Sequence, residues 1–537
     1  MPLLHKGLRN SAPHGLAEVR GATGKQRVRP VAKKRHPPVA LRLGDRQATR
    51  GFHAGIFGKV LCADGLLTDA TTVHTIQRCL HHTDCAGGAP RAERSPVATA
   101  LPTAEWVRPV REHLLGRLSD RVRGWAVNGE VLPGAELASI VDELLTETVR
   151  MGCSDIHLTP YSDRVIVRVR IDGAMLDVLQ LPLPAGMHMI RHFKVSAGLD
   201  PTHSFRPSDA RQTRLVDGHE VDLRLACAPC IAGESLAIRL LSPQRLKRTV
   251  EDLGLCEPER CPIEQWLAGS AGMLLATGPT GSGKTTTLCA LLHELKMTDR
   301  SVVTIEDPVE YQIDGVTQMQ VDERHGLTFA EGLRAMLRLD ADYLLLGEIR
   351  DAETAQVALE ASTSGRVLMS TLHSRDAFGA VTALRNWGLA DHEIGTCLSM
   401  VIAQRLVRKL CPHCRRRGAP SETSVQWLTV RGLPTPKSTW HAAGCSECHE
   451  IGYAGRTGVF EVWSLGENAY HMILAHTDER TLREAMVAAG HRPLILDGIS
   501  MAAQGIISLD ELRWLGSLYV PPTGTPAAKL LQQTLSE

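Results

Sequence analysis

Met273-Leu-Leu-Ala-Thr277 running into Gly278-Pro-Thr-Gly-Ser-Gly283-Lys284-Thr285 is the stretch that decides the fold. A short apolar run leads to two glycines with four residues between them, the second of which opens Gly283-Lys-Thr285, and a helical pattern follows. Glycines let backbone amides converge on a phosphate with no Cβ in the way. In such a loop Lys284 reaches the β- and γ-phosphates, and the Thr285 hydroxyl ligates Mg²⁺. The segment Gly278, Pro279, Thr280, Gly281, Ser282, Gly283, Lys284, Thr285 and Thr286 is therefore expected to bind ATP or GTP.

Downstream, apolar strands at Val302–Ile305, Tyr343–Leu346 and Val367–Thr371 alternate with helical stretches, which predicts an α/β domain with a parallel sheet. Polar residues stand at the carboxyl ends of these strands, where an open sheet presents its ligand crevice. Glu306-Asp307 follows one strand, Glu348 another, and His373 a third. Gly347 occupies the place where the common pattern has an aspartate. Hydrolysis needs a carboxylate that orients water near the γ-phosphate, and both acidic sets can reach one nucleotide.

Cys411-Pro-His-Cys414 and Cys445-Ser-Glu-Cys448 are two C-x-x-C pairs separated by thirty residues. Four thiolates in two close pairs suit a closed, structural zinc site, with His413 and His449 beside them as possible replacements. Cys227-Ala-Pro-Cys230 stands alone and reads as the end of a strand. Upstream, Leu137, Ile140, Val141, Leu144, Leu145 and Val149 form one face of a helix. Val165, Val167, Val169 and Ile171 alternate into Asp172-Gly173, a hairpin turn, and a second Asp217-Gly218 precedes another alternating run. Residues 134–243 are thus expected as a mixed α+β domain, with 250–520 as the nucleotide-binding domain.

The chain has 537 residues, enough for three or four domains. Apolar residues make up 43% and charged residues 22%, an ordinary globular balance that excludes disorder throughout. No run approaches the length of a membrane-spanning helix, and the start lacks the apolar core of a signal peptide, so a cytoplasmic location is expected. Fourteen cysteines in such a chain read as thiols or metal ligands. Residues 1–60 hold 13 Lys and Arg against 2 Asp and Glu, a net +11 that leaves the remainder at −10. A basic, mostly disordered tail is expected over 1–50, a small helical domain over 51–82, a linker or ambiguous stretch over 83–133, and a tail over 521–537. A basic tail suits anionic lipid or nucleic acid. With aromatics at 4% there are few rings on which bases could stack, and no specific nucleic acid is expected.

From Ser154 to about residue 515 the chain resembles the type II secretion and type IV pilus assembly ATPases. Ser154-Asp-Ile-His157 and Arg170-Ile-Asp-Gly173 are similar to that family's second N-terminal domain. Thr304-Ile-Glu-Asp-Pro-Val-Glu310 resembles its aspartate box, Leu346-Gly-Glu-Ile-Arg-Asp351 its Walker B region, and Ser370-Thr-Leu-His373 its histidine box. Ala403-Gln-Arg-Leu-Val-Arg408 before the cysteines and Gly452-Tyr-Ala-Gly-Arg-Thr-Gly-Val-Phe-Glu461 after them also match. Three departures stand out. Ile56-Phe57-Gly58 lacks the arginine through which some members bind a cyclic dinucleotide, Leu339-Asp-Ala-Asp342 replaces Gln-Asp-Pro-Asp, and Ser374-Arg375 replaces Thr-Asn.

The resemblance implies a RecA-like P-loop motor domain with a four-cysteine zinc subdomain over 408–460, preceded by the α+β domain and the small helical domain. It implies that Glu348 is the catalytic base, that Glu306 helps hold Mg²⁺ or the water, and that His373 senses the γ-phosphate. It also implies that Arg206, Arg211 and Arg224 of the second N-terminal domain close over the nucleotide, with a hinge near 240–250. The implied protein is a homohexameric ATPase at the cytoplasmic face of the inner membrane, acting with platform and docking proteins to assemble a pilus or a secretion pseudopilus. Its cofactors are ATP, Mg²⁺ and Zn²⁺. The competing readings are a pilus-retraction ATPase, a nucleic-acid translocase, or a nucleotide-gated scaffold that does not hydrolyse.

Overall fold

The computed structural model describes residues 111–536, apart from 117, 119, 123–133, 242–247, 270–271, 297–299, 311 and 517. The expected basic tail, the helical domain over 51–82, the stretch 83–110 and most of the expected hinge lie outside the described residues. The two layers described below belong to one unit, Ala100–Glu537.

The first layer is an antiparallel sheet of β1 (Asp155–Pro160), β2 (Arg164–Ile171), β3 (Ala174–Pro182), β4 (Ser208–Val216), β5 (His219–Cys230) and β6 (Gly233–Leu241). Their order is β3-β2-β1-β6-β5-β4. The two Asp-Gly pairs make the expected tight hairpins. Asp172 and Gly173 both have positive φ, as do Asp217 and Gly218, which is what a two-residue turn matched to strand twist requires. Along β2, Val165, Val167, Val169 and Ile171 are buried while the residues between them are not. They pack under the helices Gly134–Arg150 and Leu183–Ser196.

The helix Gly134–Arg150 buries its expected apolar face, except that Thr148 is the fully buried residue at its end and Val149 is only partly covered. Thr148 can sit there because its hydroxyl donates to Leu144 O at 2.8 Å. Leu115, Leu118 and Val122 join the same core, so this domain begins upstream of residue 134. Within it, Lys194 is completely buried. Its ammonium donates to both Glu234 oxygens, at 2.8 and 2.9 Å, and to His203 O at 2.9 Å. Each Nζ hydrogen thus has an acceptor, and the loop leading to Arg206 is tied to the domain interior.

The second layer is a seven-stranded sheet of β7 (Gly272–Thr277), β8 (Val302–Glu306), β9 (Thr317–Gln320), β10 (Tyr343–Leu346), β11 (Val367–Leu372), β12 (Leu398–Leu410) and β15 (Tyr453–Ser464). Its order is β15-β12-β7-β11-β10-β8-β9. All neighbours run parallel except β15, which returns antiparallel along β12. The central strands β7, β8, β10 and β11 are mostly apolar because both of their faces are covered, whereas the edge strand β9 is polar and none of its residues is buried. Met273, Leu275, Leu344, Leu346 and Leu368 point into one core, while Leu274, Ala276, Leu345, Val367 and Met369 point into the other. This is the α/β arrangement that the strand–helix alternation predicts.

Between β12 and β15 the chain makes the cysteine knuckle and a two-stranded ribbon of β13 (Arg416–Gly418) and β14 (Thr439–His441). Residues 521–537, expected as a tail, carry the helix Pro526–Ser536 instead. It buries Ala527, Leu531 and Leu535 against Trp427, Leu496 and Ile499, so the C-terminal core continues to the end of the described residues.

Candidate active site at the carboxyl edge of the sheet

β7 ends at Thr277, and the next helix starts at Lys284, so the six residues 278–283 form the loop. Gly278 has φ +146 there, and a Cβ on it would lie 2.5 Å from Gln404 O and 2.7 Å from Ser282 Oγ. No larger residue fits without displacing the backbone of β12. Gln404, itself buried, donates from Nε2 to Ser282 O at 2.8 Å and props the loop from below. Lys284 Nζ donates to Gly278 O at 2.8 Å. Burial, and secondarily the nearby Arg405 guanidinium, hold the Lys284 ammonium below its usual range, so it gains by meeting a phosphate.

Across a cleft of ≈ 730 Å³ stand the strand-end groups. Glu306 ends β8 and is buried, accepting from Thr304 Oγ1 at 2.7 Å and Gln318 Nε2 at 3.0 Å. Glu348 follows β10 and pairs with Arg350, whose other arm reaches Asp307 at 3.3 Å. His373 lies between the loop and that carboxylate. Its Nδ1 is 3.1 Å from Gly278 O and its Nε2 is 3.7 Å from Glu348 Oε2. A carbonyl can only accept, so Nδ1 carries the hydrogen and Nε2 faces the carboxylate. Gly347 has a steric reason for standing where an aspartate is common. A Cβ there would lie 3.1 Å from Phe329 and 3.2 Å from Ile305 O.

The cleft brings together Thr280–Thr286, Glu306, Glu348 and His373, but not the three arginines. Arg206 is exposed. Arg211 pairs with Asp222 on its own sheet. Arg224 donates to Glu310 at 3.2 Å, and Glu310 lines the cleft, so this arginine stands one residue outside it. Three cleft or support residues have no role assigned from sequence. Gln404 is legible there only as part of a motif leading to the cysteines, and Arg350 and Arg456 only as parts of matched motifs. Both arginines line the cleft.

The four cysteine sulfurs also converge. Cys411–Cys445 are 3.9 Å apart, and Cys414–Cys448 and Cys445–Cys448 are each 3.7 Å apart. A tetrahedron with ~2.3 Å zinc–sulfur bonds has edges of about 3.8 Å, so the donor set fits that ion. Backbone amides of Gly444, Cys445 and Gly452 point at the sulfurs, at 3.3, 3.3 and 3.1 Å, as thiolate charge requires. Neither His413 nor His449 joins this cluster. Cys227 and Cys230 lie at the end of β5, one buried and one exposed.

A parallel sheet that ends in this loop defines a RecA-like P-loop ATPase, and solved structures agree on the fold. The chain resembles the ATPase DotB from Legionella pneumophila with a TM-score of 0.52 at 20% identity, covering 70% of this chain and 95% of that one. The Yersinia pseudotuberculosis DotB gives 0.53 at 16%, with 70% and 93% covered. In sequence, the chain is 38% identical over 379 residues to the type II secretion system protein HxcR of Pseudomonas aeruginosa, covering 71% of this chain and 77% of the relative. It is 37% identical over 380 residues to the type II secretion system ATPase E of Vibrio cholerae, covering 70% and 75%. The family profile described as type II/IV secretion system protein matches residues 133–513, and the chain belongs to that family. It is an ATPase motor of the secretion and pilus class, which sets aside the nucleic-acid translocase. Among the described residues, no helix is long and apolar enough to cross a membrane.

Proposed function

We propose that the protein hydrolyses ATP to ADP and phosphate in this cleft and uses the cycle to drive assembly of a type IV pilus or a type II secretion pseudopilus. It acts as a homohexamer, peripheral to the cytoplasmic face of the inner membrane, on platform and docking proteins of that machine. The observation that carries the reading is the convergence of the Lys284 loop, Glu306, Glu348 and His373 on one cleft. Lys284 binds the β- and γ-phosphates, and Glu348 takes the proton of the attacking water. The Thr285 hydroxyl and a Glu306 oxygen, both hard donors, would hold Mg²⁺, which when bound neutralises phosphate charge. His373 contacts the γ-phosphate. Arg206, Arg211 and Arg224 bring further positive charge when the N-terminal domain closes. The relatives named as type II secretion proteins support the choice of machine.

The test is ATP turnover by the full chain, with Lys284→Ala as its control. ATP affinity should fall about tenfold or more in that variant, because a charge-assisted contact to phosphate is lost. Undiminished binding, read with a fluorescent nucleotide, would remove the loop from the mechanism.

The domain organisation is proposed as an α+β domain that ends near residue 243 and a motor that carries the zinc subdomain over 408–460. Purified protein should contain about one zinc per chain, and Cys411→Ser should release it with local unfolding around the knuckle. Elemental analysis of reduced protein with no metal would dismiss the site.

A further inference from the structure

The chain just after Cys448 does something a structural metal knuckle alone does not require. His449 and Glu450 are consecutive non-glycine residues in the left-handed region, with φ of 53 and 59, followed by Gly452 at 79. Such a run persists only where surrounding contacts over-determine it. Here they do: Glu450 N donates to Cys445 O, Ile451 N to Cys448 O, and Cys411 N to Gly452 O, at 2.9 to 3.0 Å. Gly452 N also donates to Cys448 Sγ at 3.1 Å. Space is equally tight, since a Cβ on Gly444 would lie 3.0 Å from Glu450 O and one on Gly452 2.6 Å from the Ala442 Cβ.

The segment held this way makes three contacts with the N-terminal domain. Gly455 N donates to Asp172 Oδ2, at the tip of the β2–β3 hairpin, at 2.7 Å. His449 O accepts from Arg111 Nη1 at 3.0 Å, and Arg111 is anchored to β3 through its own amide, which donates to Asp177 O at 2.7 Å. Ile451 packs against the N-terminal core itself. The next residue after Gly455, Arg456, lines the nucleotide cleft.

We propose that the four-cysteine knuckle is the seat of the N-terminal domain. The bound metal fixes the Cys448 sulfur, that sulfur and its neighbours fix the backbone 449–455, and this backbone holds the domain by its hairpin tip, Arg111 and one apolar plug. The metal half of this rests on zinc occupancy of the cysteine site; the seat itself does not, and neither half depends on the roles of the closing arginines.

Hydrogen exchange on the full chain, followed with peptides covering 168–178 and 449–456, tests both halves. Asp172→Ala and Ile451→Ser leave all four cysteines in place, so zinc content should be unchanged. Asp172→Ala should speed exchange of 449–456 and Ile451→Ser that of 168–178, each roughly tenfold or more and each in the peptide that the substitution does not touch. Chelation of the folded parent, or Cys448→Ser, should speed the 168–178 hairpin similarly, although that hairpin contains no cysteine. Unchanged exchange of 449–456 in Asp172→Ala would overturn the seat. A hairpin equally protected with and without metal would overturn the metal's part in it, and reversible chelation keeps that decision open to measurement even if Cys448→Ser fails to fold.

Discussion

Glu348→Gln is expected to lower ATP turnover by about 10²-fold or more while ATP affinity stays near the parent value. The substitution keeps the size of a side chain wedged between Arg350 and His373 but removes its proton-accepting charge. A positioned base contributes ~10²–10⁴-fold, whereas the loop that binds phosphate is built from other residues. The neighbours make the prediction specific. Arg350 retains Asp307 as a partner at 3.3 Å, so the guanidinium is not left alone, and His373 keeps its bond to Gly278 O. Steady-state phosphate release together with equilibrium nucleotide binding separates the two effects. Hydrolysis at the parent rate would transfer the base to another group, with the buried Glu306 next in line.

What is legible in the sequence is local. The phosphate loop requires glycines at fixed offsets, and Gly278 and Gly283 indeed adopt positive φ that other residues resist. The Asp-Gly hairpins follow the same logic, and two C-x-x-C pairs announce a four-thiolate cluster without any knowledge of what lies between. Four strands of the motor sheet, β7, β8, β10 and β11, are legible as apolar runs because both of their faces are buried, while β9, β12 and β15 carry polar residues that break such a run. What is not legible depends on partners distant in the chain. Gln404 supports a loop more than a hundred residues earlier, and no spacing rule connects the two. The terminal helix hides behind Pro521-Pro522 and Gly524. Its Ala527, Leu531 and Leu535 do repeat at helical spacing, but over too short a window to outweigh the breakers. Thr148 escapes because a hydroxyl that bonds its own helix can be buried like an apolar group.

Arg211→Ala should lower turnover by about tenfold or more with little change in ATP affinity. The reason lies in where the arginine stands. The loop, Glu306, Glu348 and His373 all belong to one sheet edge, which approaches a nucleotide from one side. Arg211, on the other layer, is held by Asp222, and Arg224 by Glu310 at the rim of the cleft. A contact made only after closure contributes to the transition state and not to the first encounter, so its loss falls on kcat rather than on KM. Guanidinium suits the task because its planar fork meets phosphate oxygens in pairs, and arginines supplied from outside a nucleotide site act in this direction. Arg224→Ala should behave alike, with one difference: it also frees Glu310, a carboxylate lining the cleft, which adds uncompensated negative charge near the phosphates and should raise KM as well. The competing account makes Arg211 and Asp222 an exposed ion pair on a solvated strand, worth ~0–1 kcal/mol of stability and nothing to the chemistry. Thermal melts and steady-state kinetics on the two full-length variants decide between them. Parent turnover in both would leave these arginines as surface decoration and end the closing-domain mechanism.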